Sequence, residues 1–228
     1  KGQYIPLENL NYDRVTQHYM EKNKSYIASI KPVLIQDFDS IAEIEDVLYK
    51  VPGNSSKKNT FAYRKIFSEN LVRYHTKDFS ITADPVFNFG AGYDFKASKN
   101  TWINTRGLSV TGLLGKTLSF NTELYETQAV FASWPTDFIN ATGVVPGQGS
   151  VKPFKETGFD FFNSNGYVSY SPSKFVNMTM GYGKNFIGEG YRSLLLSDAS
   201  FNYPYMKLTG NFKSVKYTVL YNQFIDRS

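Results

Sequence analysis

The 228 residues contain no cysteine, so the chain has neither a disulfide framework nor a thiolate site. Histidine is nearly absent: His18 and His75 are the only two, far apart and outside any G-x-S-x-G or paired-histidine context. On this reading the sequence implies no enzyme, no metal and no cofactor. Long apolar runs are also missing, and nothing approaches the roughly 18 consecutive apolar residues of a membrane-spanning helix. One-signed charge is lacking too. The net charge is +5, but Asp and Glu accompany Lys and Arg along the chain and leave no stripe for nucleic acid. The chain opens at Lys1 without a charged-then-apolar leader, so an export signal is expected to have been removed already.

What the chain has instead is aromatic residues, 17 Tyr and 19 Phe, and a long alternation. Phe79, Ile81, Ala83, Pro85, Phe87, Phe89, Ala91, Tyr93 and Phe95 point one way, while Ser80, Thr82, Asp84, Asn88 and Asp94 point the other. A period of two means a strand. This one is far longer than the usual five or six residues. Strands of a transmembrane barrel need one apolar and one polar face over about nine to eleven residues, with aromatic girdles at both interfaces. The expected fold class is therefore all-β, an antiparallel transmembrane β-barrel of about seven strands in this chain.

Two divisions are expected, 1–77 as a mostly helical periplasmic or plug segment and 78–228 as the N-terminal portion of the barrel. Helices are predicted over Ile41 to Lys50, capped by Ser40, over Thr60 to Tyr74, and over Asn9 to Glu21. The strands are placed at Phe79 to Phe95, Thr101 to Gly112, Thr117 towards Phe131, Gly166 to Tyr170, Phe175 to Gly183, a sixth ending near Phe212, and Val215 to Tyr221. Trp134 to Asn163 and Asn185 to Ser200 read as long loops, whereas the turns at Gly115, at Ser171 to Lys174 and at Lys213 are tight. Short inner turns and long outer loops are the asymmetry of an outer-membrane barrel, and they put the helical segment on the periplasmic side. An open ribbon would leave backbone groups unsatisfied in lipid, so further strands are expected to complete it.

The segment NFIGEGYRSLLLSD, within Gly181 to Tyr221, resembles the Wzi-type capsule-assembly outer-membrane family, especially its Bacteroidota branch of RemB-like gliding-motility proteins. Supporting segments are FSITADPVFNF from Phe79, NTRG from Asn104 and VVPGQGSVKPF from Val144. The resemblance implies a closed barrel, longer than this chain, with a helical periplasmic plug. It also implies a bacterial outer-membrane location, association with surface polysaccharide and a role in gliding motility or capsule attachment. It supplies no residue-level mechanism.

Two places carry candidate binding residues. The first is the long loop, where Trp134, Phe138 and Phe154 are interleaved with Lys152 and Lys155. Aromatic faces beside cations suit sugar rings and acidic groups, and function concentrates on loops; the same residues would equally make a self-packed lid or a docking surface for another envelope protein. The second is the glycine-rich FIGEGYRS loop with Glu189, Tyr191 and Arg192. There a carboxylate, a guanidinium and a stacking ring form either a sugar-binding corner or an ion pair that folds the loop. The partners expected are outer-membrane lipid, surface polysaccharide and other cell-envelope proteins in a larger complex. A diffusion porin and a structural subunit of a secretion or assembly complex are the competing functions.

Overall fold

A computed structural model describes residues 2–24, 29–38, 40–49, 70–212 and 215–224. The N-terminal part comprises α1 (Asn9–Glu21), β1 (Ile30–Lys31), a 3-10 turn (Ile35–Asp37) and α2 (Ile41–Tyr49). There follow β2 (Val72–His75), β3 (Phe79–Asp94), β4 (Lys99–Leu114), β5 (Leu118–Val130) and α3 (Ser133–Thr142). Next come the short β6 (Val144–Val145), β7 (Gly149–Ser150) and β8 (Lys152–Phe154). The chain continues with β9 (Gly158–Tyr170), β10 (Val176–Gly183), β11 (Phe186–Ile187), β12 (Tyr203–Phe212) and β13 (Val215–Asn222). Nine strands form one antiparallel sheet in the order β13-β12-β10-β9-β5-β4-β3-β2, with β8 also paired to β9. The sheet is not closed; β2 and β13 are its edges. No helix among the described residues is long and apolar enough to cross a membrane.

The register sorts the side chains into two faces of opposite character. Phe79, Leu114, Leu118, Tyr170, Met178, Leu208 and Val219 lie side by side across seven strands. The next row on that face is Ile81, Gly112, Phe120, Val168, Met180, Met206 and Tyr221. This apolar face is bare: Met180 keeps 65% of its surface and Phe87 60%. The opposite face carries Ser119, Ser169, Thr179 and Lys207 in one cross-strand row, all buried. A water-soluble sheet buries its apolar face and shows the polar one, so the polarity here is inverted.

The covered face is buried by the N-terminal part, which has a small core of its own in Ile5, Tyr12, Val15, Val33, Ile35, Phe38, Ile44 and Leu48. The Tyr12 hydroxyl ties this core by accepting from the Val33 N–H at 3.1 Å and donating to the Ile5 carbonyl at 3.3 Å. Docking onto the sheet is polar. Tyr4 Oη meets Asn177 Oδ1 at 3.1 Å and Thr179 Oγ1 at 2.8 Å, and the Tyr4 N–H donates to Tyr167 Oη at 3.0 Å. Asn177 in turn donates to Ser169 and Ser171. Lys207, 3% exposed, donates to the Pro32 carbonyl at 3.1 Å with Nζ 4.2 Å from the Tyr4 ring centre. At the tight-turn end Asp37 takes Asn211 at 3.1 Å and Lys216 at 2.6 Å. At the other end β1 pairs with β11. The N-terminal part therefore runs along the covered face from one end to the other, rather than standing beyond the tight turns.

Two glycines let tyrosine rings lie flat on that face. A Cβ on Gly181 would sit 2.7 Å from Tyr205 Oη and 2.8 Å from the Gly166 carbonyl, and one on Gly107 would meet the Tyr125 ring and the Leu124 carbonyl at 2.6 Å. Rings over strand glycines recover burial that the glycine lacks.

The expected helices at Asn9 to Glu21 and from Ile41 are present, and Ser40 Oγ accepts the Glu43 N–H at 3.4 Å. Most of the helix expected over Thr60 to Tyr74 lies outside the described residues. Its end is strand, because Val72 to His75 pair with β3 and the Asp84 carboxylate accepts the Leu71 N–H at 2.6 Å. The tight turns after β4, β9 and β12 fall at one end of the sheet, as expected, and the long excursions at the other, where the short 95–98 turn between β3 and β4 also lies. The long loop after β5 is shorter than expected, since Gly158 to Asn163 belong to β9 and pair with β5 through Phe159 to Asn163.

Tyr4→Phe removes one hydroxyl from the Asn177 and Thr179 cluster and leaves buried partners short of a bond, so a loss of about 1–3 kcal/mol is expected. Denaturant unfolding measures it, with earlier proteolysis of residues 2–24 and unchanged strand content.

Candidate functional site

The residues singled out in the sequence fall into two groups at the excursion end of the sheet. The first group sits on α3, β8 and the turn after it. α3 forms because Asp94, at the end of β3, takes both the N–H (2.8 Å) and the hydroxyl (2.5 Å) of Ser133 at the helix start. It ends where Gly143 turns left-handed and its N–H reaches the Ile139 carbonyl at 2.7 Å. Ile139 packs with Ala129, Val145, Phe159 and Phe161 in a second core, against which Ile103, Phe131 and Val151 rest. That leaves Trp134, 75% exposed, and Phe138, one turn further on, free on the helix surface.

Phe154 and Lys152 lie on β8, an edge strand on β9. The Phe154 ring stands edge-on to Trp102, centres 6.3 Å apart, and Lys155 Nζ is 5.2 Å from the Phe154 ring centre. Trp102 was not expected in this group. Its alternation with Asn104 and Arg106 on β4 was the signal that could have found it. The aromatics of the supposed loop thus divide three ways: Phe159 and Phe161 are core, Trp134 and Phe138 are exposed on α3, and Phe162 is exposed on the bare face.

The second group follows β11. Glu189 and Arg192 are both exposed and do not pair with one another; Glu189 Oε2 instead lies 3.8 Å from Lys31 Nζ on β1. The Gly188 N–H donates to the Ser29 carbonyl at 2.9 Å, so the glycine-rich loop is tied to the N-terminal part. Tyr191 is exposed. Leu194 and Leu195 beside it are also exposed, an apolar tip held by Ser193 Oγ, which donates to the Ile187 carbonyl and accepts the Leu195 N–H. The Glu189–Arg192 ion pair weighed for this loop is not formed; Glu189 faces Lys31, which the pairing of β1 with β11 sets opposite Phe186.

Among the described residues, no hydrogen bond or ion pair joins the two groups directly. Lys184 connects their loops: its ammonium donates to the Gly147 carbonyl at 2.7 Å and the Asp198 carbonyl at 2.8 Å. Burial pushes its pKa down, partly offset by the Asp198 carboxylate. Asn202 adds a second tie by donating to Asn163 Oδ1 at 2.9 Å and the Ser164 carbonyl at 2.7 Å. Neither residue stood out in the sequence, since a lysine bonded to carbonyls has no spacing signature. No cluster of three or more His, Asp or Glu able to hold a metal ion occurs among the described residues. The surface offers stacking rings, cations and carboxylates.

Comparison with protein-family models, with curated proteins and with solved structures finds no match to this chain.

Lys184→Met deletes the bond to Gly147 that crosses between the excursions and the bond to Asp198 within the second. Hydrogen exchange should quicken around residues 144–149 and 196–200 by the equivalent of about 1–3 kcal/mol, while the central strands keep their protection.

Proposed function

We propose that this chain is part of an outer-membrane β-barrel that associates with surface polysaccharide and supports gliding motility or capsule attachment in a bacterium. One observation carries the membrane part: two adjacent rows across seven strands expose apolar side chains, while the polar face is the one that is packed. Exposing such a face to water is unfavourable at about 25 cal/mol per Å². Lipid removes that cost, and a barrel wall has this polarity. In this reading the N-terminal part is a plug inside the lumen, tight turns face the periplasm, and the excursions reach outward. The edges β2 and β13 are then closed by further strands, because an open sheet edge does not persist in lipid.

The polysaccharide part rests on the excursion end. Trp134, Phe138 and Tyr191 present exposed rings, with Lys155 in the same excursion as the first two and Arg192 next to the third, and the FIGEGYRS segment is the one that resembles capsule-associated proteins. The barrel is read as non-catalytic. A docking surface for another envelope protein is the second reading, favoured by the exposed Leu194 and Leu195 beside Tyr191. A freely conducting porin is disfavoured, since Tyr4, Pro32 and Asp37 hold the N-terminal part on the wall from β10 to β13.

Met180→Arg places a charge in the middle of the apolar rows and should cost about 2–4 kcal/mol of insertion, read as loss of the protein from the outer-membrane fraction. Phe95→Arg, in the exposed hairpin turn, should insert normally. A wild-type chain that stays monodisperse in buffer without detergent would end the barrel reading.

Trp134→Ala and Tyr191→Ala should each lower the surface polysaccharide retained by cells while assembly in the membrane is unchanged, because a stacking ring is lost and no wall residue is touched. Retention of polysaccharide together with loss of a co-purifying protein would replace the glycan by the protein partner.

A further inference from the structure

The bare face does not stay apolar to its excursion end. Above the row of Leu108 and Leu124, the register brings Arg106 beside Glu126, and one row further Asn104, Gln128, Asp160 and Lys152 lie side by side across four strands. Beyond them stand Trp102 and Phe154 in edge contact. Lys152 and Phe154 therefore point the same way as the apolar rows, outward from the sheet, and not toward the covered face.

This rim holds unused charge. Among the described residues no hydrogen bond or ion pair engages the Arg106 guanidinium or the ammonium groups of Lys152 and Lys155, although Glu126 and Asp160 are their register neighbours. The Asp160 carboxylate is taken by Gln128 Nε2 at 3.3 Å. The backbones of Arg106 and Lys152 are three inter-strand steps and one row apart, about 16 Å. Between the two cations lies a floor of amides and carboxylates, and beside it an aromatic pair. Cations bind phosphates, with arginine bidentate; amides and carboxylates bind sugar hydroxyls; rings stack on pyranose faces. Two phosphate poles held by the two cations, with hydroxyls between them, match a disaccharide phosphorylated at both ends.

We infer that this rim, between Arg106 and Lys152, binds the bis-phosphorylated disaccharide headgroup of a glycolipid in the outer leaflet. The inference rests on the barrel reading, because it is the continuity of the rim with the lipid-facing rows that makes the ligand a membrane lipid and not an exported polymer. Trp134 and Tyr191 contact exported glycan in that reading and are not part of this site. Glu126 and Asp160 oppose a lone phosphate, which favours a headgroup that offers hydroxyls to them.

The test uses the complete barrel in detergent micelles, with Trp134→Phe and any tryptophan outside these 228 residues replaced, so that Trp102 is the remaining indole and reports on the rim. Diphosphoryl lipid A, monophosphoryl lipid A and phosphatidylglycerol are titrated in turn. Diphosphoryl lipid A should shift the Trp102 emission at the lowest concentration. Arg106→Ala or Lys152→Ala should weaken it about tenfold each, bringing it level with monophosphoryl lipid A, as expected for loss of one charged hydrogen-bond partner. Strand content by circular dichroism confirms that each variant is folded, and Arg106→Lys, which keeps the charge, should recover part of the affinity. Equal response to phosphatidylglycerol, or variants that bind diphosphoryl lipid A like the parent, overturns the site while a chain that inserts into vesicles leaves the barrel standing. A complete barrel that does not enter micelles or vesicles overturns both.

Discussion

Hydroxyl and amide groups facing one another between the sheet and the N-terminal part set the terms for the rest of the molecule. Tyr4, Ser169, Ser171, Asn177 and Thr179 exchange bonds in a closed cluster, and Lys207 finds a carbonyl and an aromatic face in the same layer. Buried polar groups are tolerated only when they are matched in this way. Once the polar face is the packed one, alternation leaves the apolar face nowhere to turn but outward. The long bare rows, the tyrosine rings laid over Gly107 and Gly181, and the proposal of a lipid-facing wall follow from that single inversion.

The same layer links the two ends of the sheet. Asp37 is held near the tight turn between β12 and β13, while β1 is paired to β11 and Lys31 reaches Glu189. The N-terminal part has its own apolar core and meets the sheet through polar contacts together with the Tyr4 ring, which stands edge-on to Tyr167. The pairing of β1 with β11 joins this part to the glycine-rich loop by backbone hydrogen bonds. Lys184 then couples that loop to the other excursion. The candidate surface is in this sense a joint property of three separate stretches of chain.

Strand identity was legible because a period of two survives any tertiary context that keeps one face polar. Phe79 to Asp94 and Val215 to Asn222 are found within a residue or so of their expected limits, and α1 is found where the N-terminal pattern put it. Legibility failed where partners decided. Tyr74 carries a helical spacing with Phe67 and Leu71, yet Val72 to His75 pair with β3, since a free strand edge offers more hydrogen bonds than a helix end does. Phe159 and Phe161 read as loop aromatics because neither Gly158 nor the asparagines near them look like a strand; the pairing with β5 makes them one. Glu189 was matched to Arg192 by nearness in sequence, whereas strand pairing brought Lys31 to it from far along the chain.

The amino-acid order by itself determined that the chain is built of long, two-faced antiparallel strands with short turns at one end, because side-chain polarity and turn residues are local properties. It also determined the absence of thiol chemistry, since composition alone settles that. Which face is covered, and by what, was decided only in three dimensions: a polar row becomes an interior when Tyr4 and Pro32 are laid upon it. So too was the outward rim of Arg106, Gln128, Asp160 and Lys152, four residues on four strands that become neighbours only when register is fixed by the turns and by the rows beneath them.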